Sequence, residues 1–228
     1  MRLALKFIVV TGLMLFTVQC AKRASPTGGP KDSIPPVLIN ASPKLNTTFF
    51  DKDEFYLTFN EYITLKDINK QLIISPPLNS TQFKVYPVTG ASKKVTLKLL
   101  DSLLDNTTYT FNFGESIVDF NESNPSSYLT YTLSTGATID SLYIRGHITD
   151  AFENETERFI SLQLYPVDSI FTDSVIYSQK PLYVTSTLDT TIYRFQNLRA
   201  GKYSIIAMED KAGNYFFDQN MDKIGFNE

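Results

Sequence analysis

Apolar and polar side chains alternate along several short segments of the first half of the chain. In residues 54–59, Phe55, Leu57 and Phe59 fall on one face of an extended backbone, because successive side chains of a strand point to opposite sides. The same period of two recurs in residues 95–99, 109–113 and 129–133, with further candidates at 72–75 and 81–88. Turn residues separate these runs, and only residues 65–71 suggest a short helix. The pattern predicts an antiparallel sandwich of immunoglobulin type over residues 37–136.

A second series of alternating segments follows in the other half of the chain. Its members are residues 142–148, 159–165, 191–195 and 203–208. Gly201 lies in a tight turn before the last of them, where a positive φ is accessible to glycine. The expected fold class is therefore all-β, with two consecutive antiparallel β-sandwich domains, at residues 37–136 and 137–228.

The N-terminal segment has the composition of an export signal. Arg2 and Lys6 precede an apolar run at residues 7–19, which is shorter than the ~20 residues needed to cross a bilayer as a helix. Cys20 closes this run, and the stretch 17–20 resembles the lipobox of bacterial lipoproteins. Gly or Ala is usual in that motif where Gln19 stands here, and lipoproteins of the Bacteroidetes type are less strict at this position. The resemblance implies that residues 1–19 are removed and that Cys20 carries lipid. The alternatives are an ordinary signal peptide or an uncleaved anchor with an incidental thiol.

The segment between Cys20 and the first strand reads as a tether. Four prolines and the pair Gly28-Gly29 occur within residues 20–36, without apolar periodicity. Such a segment holds a folded domain away from a membrane. Lys22-Arg23 directly after the cysteine favour the periplasmic face of the outer membrane over the cell surface, because the resembling surface-exported lipoproteins carry acidic residues there.

Charge and composition exclude several classes of function. The formal net charge is −3, and it becomes −5 when Arg2 and Lys6 leave with the leader, so nucleic acid is not an expected partner. A single cysteine excludes an intrachain disulfide and a C-x-x-C site. The single histidine, His147, is expected to face solvent on its strand. No catalytic motif is recognisable, and the chain is predicted not to be an enzyme and to need no cofactor, with calcium as the one candidate ion.

Short motifs in the first half occur in a familiar order. They are Pro35-Pro36-Val37, Ser42-Pro43, and the segments 57–63, 104–110 and 131–136. This series resembles the bacterial Ig-like domain of the Big_5 or SbsA type, which is found in S-layer and other cell-surface proteins. In this interpretation Asn60 and Glu61 form a polar turn after a strand, and residues 119–128 depart from the usual short turn of the family.

In the second half, residues 195–210 carry a separate resemblance. The order of Phe195, Leu198, Gly201, Tyr203 and Asp210 is similar to that of prealbumin-like sandwiches of the carboxypeptidase regulatory-like and Cna-B types. The resemblance again implies a β-sandwich. The chain ends after a turn-like stretch, which suggests that this domain is truncated.

An acidic D-x-N-x-D motif lies near the C-terminus. Asp218, Asn220 and Asp222 offer hard oxygen ligands at alternate positions, as Ca²⁺ requires, with Asp210 and Asn214 as further candidates. The EF-hand pattern is incomplete, because Gly225 comes two positions late and no glutamate occupies the twelfth position. The alternative is a polar turn in which Asp218 and Asn220 cap the backbone.

Together these features predict a lipid-anchored cell-envelope protein of the outer membrane with a structural, adhesive or assembly role. Its expected partners are the membrane, through the lipid, and a protein or glycan. An alternative is a carbohydrate- or peptide-binding lipoprotein of a nutrient-uptake system, which would present clustered exposed aromatic side chains; the candidates are Tyr56, Tyr62, Tyr128, Tyr143 and Tyr177. A third possibility is an enzyme whose catalytic part is absent or unrecognised.

Overall fold

The structure is a computed structural model that describes residues 29–126, 128–151, 153, 159–169, 171–187 and 190–226. Within these ranges, residues 33–228 belong to one compact unit. No helix among the described residues has the length and apolarity to cross a bilayer. The predicted leader and Cys20 lie outside the described residues, so both stay predictions.

The first half of the compact unit forms two facing antiparallel sheets. Its strands are β1 (Leu38–Ser42), β2 (Glu54–Leu65), β3 (Ile73–Ser75), β4 (Phe83–Tyr86), β5 (Ser92–Leu99), β6 (Thr108–Asn112), β7 (Ile117–Asp119) and β8 (Thr130–Ser134). One sheet has the order β1-β2-β5-β4, with β7 also paired to β2, and the other has the order β3-β6-β8. A short helix, α1 (Ile68–Gln71), lies where the sequence predicts one. The strands predicted from alternation are confirmed, whereas β1 and β7 were not predicted.

An aromatic core fills the space between these two sheets. The ring of Phe55 stacks on Tyr131 with centroids 3.9 Å apart and meets Phe111 edge-on at 5.0 Å. All three side chains are fully buried. The hydroxyl of Tyr131 donates to the carbonyl of Pro43 at 3.0 Å, and burial raises its pKa to about 12. The alternation of apolar and polar residues at 54–59 therefore reflects the burial of one face of β2 between the two sheets, as expected for a sandwich.

The polar turn predicted at Asn60 and Glu61 is wrong, because β2 continues through both residues. The pairing of β2 with β5 shifts between Thr58 and Ile63, which marks a β-bulge. Asn60 is held there by the N-terminal edge: its amide donates to the carbonyl of Val37 at 3.1 Å, and its Oδ1 accepts from the amide of Val37 at 2.8 Å. The bulge lets Asn60 form both of these hydrogen bonds without ending the strand.

The second half of the unit forms two further antiparallel sheets. Its elements are β9 (Leu142–His147), β10 (Ser161–Pro166), α2 (Val175–Ser178), β11 (Tyr183–Ser186), β12 (Ile192–Leu198), β13 (Tyr203–Glu209) and β14 (Lys223–Phe226). Strands β9 and β12 pair with each other, and the other sheet has the order β11-β10-β13-β14. The apolar core of the second half consists of Ile160, Leu162, Leu164, Tyr183, Phe195 and Leu198. The all-β prediction is confirmed. The turn-like tail predicted after residue 210 ends instead in a strand, β14, which pairs with β13.

Polar contacts join the two halves. The amide of Val184 in β11 donates to Ser75 Oγ in β3 at 3.1 Å, in a buried position. Thr110 Oγ1 donates to Asn197 Oδ1 at 3.3 Å, and Asn197 Nδ2 donates to the carbonyl of Asp140 at 2.8 Å. Strands of both halves are therefore linked side by side, while the domain boundary at residues 136 and 137 stays a prediction.

Candidate functional site

The acidic C-terminal loop follows β13 and covers residues 210–222. At its start the carboxylate of Asp210 accepts three backbone N–H groups: Oδ1 from Gly213 at 2.7 Å and Asn214 at 3.3 Å, and Oδ2 from Tyr215 at 2.7 Å. A carboxylate that accepts backbone amides two to five residues on is the ordinary chemistry of an Asx-type turn. Asp210 therefore shapes the loop.

The motif predicted to bind calcium lies in the second part of this loop. Asp222 is only 9% exposed; its Oδ1 accepts from the amide of Lys211 at 3.0 Å and its Oδ2 from the amide of Asp218 at 2.8 Å. Asp218 Oδ1 accepts from the amide of Asn220 at 2.9 Å and from its side chain at 3.3 Å. These bonds are those of the capped polar turn. No group of three or more His, Cys, Asp or Glu side chains suited to a metal occurs in the described part of the chain. Calcium binding stays an untested prediction.

The loop also packs against the rest of the second half. Its Phe217 amide donates to the carbonyl of Ile176 in α2 at 3.0 Å, and its ring meets Tyr177 edge-on at 5.6 Å. Gln219 Nε2 donates to the hydroxyl of Tyr177 at 2.8 Å. The cap bonds within the loop therefore hold aromatic side chains against a helix, which is a structural task.

Toward the first half, the loop places Tyr215 near Lys180. The Lys180 ammonium lies 5.6 Å from the centroid of the Tyr215 ring and donates to Asn79 Oδ1 at 2.6 Å. Burial lowers the pKa of Lys180, although the charge of Asp210 opposes this; burial and the same charge raise the pKa of Tyr215 to about 12. A cavity of about 440 Å³ lies here, lined by residues of both halves, Leu78 among them.

A second capped loop follows β7 and was not predicted. The carboxylate of Asp119 is 2% exposed and accepts the amides of Asn121 at 2.8 Å, Glu122 at 2.7 Å and Asn124 at 2.7 Å. Burial alone would raise the pKa of Asp119, but these backbone hydrogen bonds, with one from Ser123, outweigh it and lower the pKa below its ordinary value. The run of Asp and Asn at residues 119–124 is the sequence signal for such a turn.

The five predicted aromatic candidates are spread over four elements, with Tyr56 and Tyr62 together on β2. Tyr62, Tyr128, Tyr143 and Tyr177 are exposed, and Tyr56 is half-buried. They belong to β2, the loop before β8, β9 and α2, so they do not share one element or one sheet. His147 is exposed on β9, as predicted.

Comparison with known proteins identifies the first half. Residues 32–135 match the Big_5 family, described as bacterial Ig-like domain. No curated protein matches the chain. A similar solved structure is the N-terminal part of the bacterial S-layer protein SbsC, with 14% identity and a TM-score of 0.31; the alignment covers 86% of this chain and 44% of that one, so the chain spans less than half of that structure. The chain is thus an all-β protein whose residues 32–135 match the Big_5 family of bacterial Ig-like domains.

Proposed function

We propose that this chain is a lipid-anchored protein of the bacterial cell envelope with a non-catalytic structural or assembly role. The observation that carries the proposal is an order in the sequence: an apolar leader ends at Cys20, a tether follows, and the match to the Ig-like domain begins at residue 32. Lipid on a cysteine contributes ~0.8 kcal/mol for each buried methylene, and two or more chains make a stable anchor.

The structure supports a structural role through the use that it makes of its carboxylates. Asp210 and Asp222, which the sequence motif singles out, and Asp119, which it does not, each accept hydrogen bonds from backbone amides of their own loop. The hydrogen bonds from Val184 to Ser75 and from Thr110 to Asn197 link the two halves. An Ig-like domain linked in this way to a second β-structure suits a spacer or assembly element on a membrane.

The lipid anchor is tested with variants that remove the cysteine or place it elsewhere in the tether. Cys20→Ala should abolish membrane retention and incorporation of a labelled fatty acid. A double variant, Cys20→Ala with Ser25→Cys, keeps one thiol in the same tether but away from the lipobox-like stretch, and it should remain unlabelled. Mass spectrometry of the wild-type N-terminal peptide gives an independent result: an unacylated Cys20 in membrane-bound protein would exclude the anchor.

The side of the membrane is tested separately. We infer the periplasmic face of the outer membrane from Lys22-Arg23 after the cysteine. Protease added to intact cells should leave the protein uncut, while the same protease should degrade it after the outer membrane is permeabilised. Digestion on intact cells would place it on the surface.

A further inference from the structure

The outward face of the sheet that contains β2, β5 and β4 carries an ordered set of lysine and tyrosine side chains. Phe55, Leu57, Val95 and Leu97 point into the core, so the alternate residues of these strands face out. The pairing register then places Tyr56, Thr96 and Tyr86 in one row across three strands. A neighbouring row consists of Glu54, Lys98 and Lys84, and a third pairs Thr58 with Lys94.

Among the described residues, the lysines of this face form no ion pair within 4.0 Å, although Glu54 lies opposite Lys98 on β2. Lys84, Lys94 and Lys98 are exposed, and the ion pairs between described residues within 4.0 Å all involve other cations. Lys84 and Lys98 lie directly opposite each other on adjacent strands. Like charges in that position destabilise a sheet. Glu54 offsets one of the three lysine charges, so the face keeps a net positive charge that an anion bound between the lysines would balance.

Aromatic rings stand beside the charges. The Lys94 ammonium lies 3.9 Å from the centroid of the Tyr56 ring, in a cation–π contact that fixes both side chains. Tyr86 is 41% exposed and lies two strands away in the row of Tyr56, at roughly 10 Å by strand spacing. Thr96 lies between the two tyrosines in their row, and Thr58 lies opposite Lys94, so hydroxyl groups stand beside both the rings and an ammonium group.

We propose that this face binds an acidic polysaccharide, with the lysines pairing with its carboxylates and Tyr86 and Tyr56 contacting its sugar rings. The face is open, as suits an extended polymer, whereas small molecules are usually held in concave pockets. Its hydroxyl groups match sugar hydroxyls. A membrane surface is less well matched, since polybasic lipid-binding segments concentrate four to eight basic residues, and the face offers fewer. The net negative charge of the whole chain makes this local positive face the part that attracts an anion.

The proposal goes beyond the anchored structural role and does not depend on lipidation. The test uses purified full-length protein in detergent with polygalacturonate as the probe, and its methyl ester as the matched uncharged polymer. Binding to the acid and not to the ester is expected, measured by affinity electrophoresis or calorimetry. Cys20→Ala should bind equally well, so failure of the anchor and failure of the glycan site give different results.

Matched variants locate the site. Replacing Lys84, Lys94 and Lys98 by Gln should weaken binding at least about tenfold, because each unscreened charge pair contributes on the order of a fewfold. Replacing Lys66, Lys202 and Lys211 by Gln makes the same change of net charge at exposed lysines elsewhere and should leave affinity within about twofold. Tyr86→Ala, which removes a ring without changing charge, should also weaken binding.

Several results would overturn the proposal. Equal losses of affinity in the two triple-lysine variants would show that binding depends on the net charge of the protein and not on this face. Equal affinity for polyglutamate would show that any acidic polymer, including a peptide, suffices. Binding to vesicles of anionic phospholipid with none to polygalacturonate would replace the glycan by a membrane. Unchanged affinity in the triple variant at Lys84, Lys94 and Lys98 would remove the face from consideration.

Discussion

Replacing Asp222 distinguishes a capped turn from a calcium site. In the structure this carboxylate is 9% exposed and accepts the amides of Lys211 and Asp218 at 3.0 and 2.8 Å. Asp222→Ala removes both acceptors and leaves two amides without partners. Hydrogen bonds to a charged group contribute ~1.5–3 kcal/mol each. The donors are partly accessible to water, so we expect a total loss of about 2–3 kcal/mol in the free energy of unfolding.

The assay is thermal unfolding with calcium added or with EDTA. For a domain of this size 1 kcal/mol corresponds to roughly 2–4 °C, so Asp222→Ala should lower Tm by about 4–12 °C in both solutions. Asp222→Asn retains one acceptor oxygen and should lie between wild type and Ala. Asn220→Ala, at an exposed position of the same motif, is the matched control and should change stability by less than about 0.5 kcal/mol.

The wild type decides the interpretation. If the carboxylates serve only as caps, its Tm should be the same with calcium and with EDTA. A rise of Tm in millimolar calcium that disappears in Asp222→Ala would contradict this reasoning and establish the metal site that the D-x-N-x-D spacing predicts.

Three further predictions concern the fold. Phe55→Ala should cost about 3–5 kcal/mol in chemical denaturation, whereas Tyr56→Ala on the outward face should cost less than about 1 kcal/mol; equal losses would contradict the assigned faces. Asp119 has a lowered pKa in the folded state, so its contribution to stability is complete above the ordinary value of 3.8 and is lost as the pH falls through the lower folded value. Denaturation of Asp119→Asn between pH 3 and 7 should therefore depend less on pH than the wild type, and an unchanged slope would refute the assignment. Ser75→Ala leaves the buried amide of Val184 without its partner and should cost about 1–3 kcal/mol, and no loss would show that the link between the halves adds nothing.

Local sequence patterns predicted most of the strands and missed others for identifiable reasons. Alternation at residues 54–59 and 95–99 reflects burial on one face, which a period of two records directly. Strand β7 (Ile117–Asp119) is buried at all three of its positions and has no alternation to detect. The bulge at Asn60 looked like a turn, because a polar pair that breaks an alternating run has the same appearance in either case.

In the acidic loops, the sequence shows which residues could act, but only the structure shows what they do. The spacing of Asp218, Asn220 and Asp222 is equally consistent with ligands around an ion and with caps on a turn, since both need oxygen atoms at short intervals. The sequence did contain a signal for turns capped by carboxylates: Asp210 stands three residues before Gly213, and Asp119 stands two residues before Asn121. Only the positions of the backbone amides show where each carboxylate is used.

The sequence alone determined that this protein is all-β, because alternation is a property of neighbouring residues and survives without knowledge of distant ones. It also carried the motifs of the Ig-like domain, which are read in linear order, and it predicts the leader and the lipid on Cys20. Tertiary structure decided what depends on pairing between distant strands. The register of β4 on β5 puts Lys84 opposite Lys98, and the approach of β11 to β3 puts Val184 on Ser75. Such contacts depend on register and sheet order, which local side-chain preferences leave open.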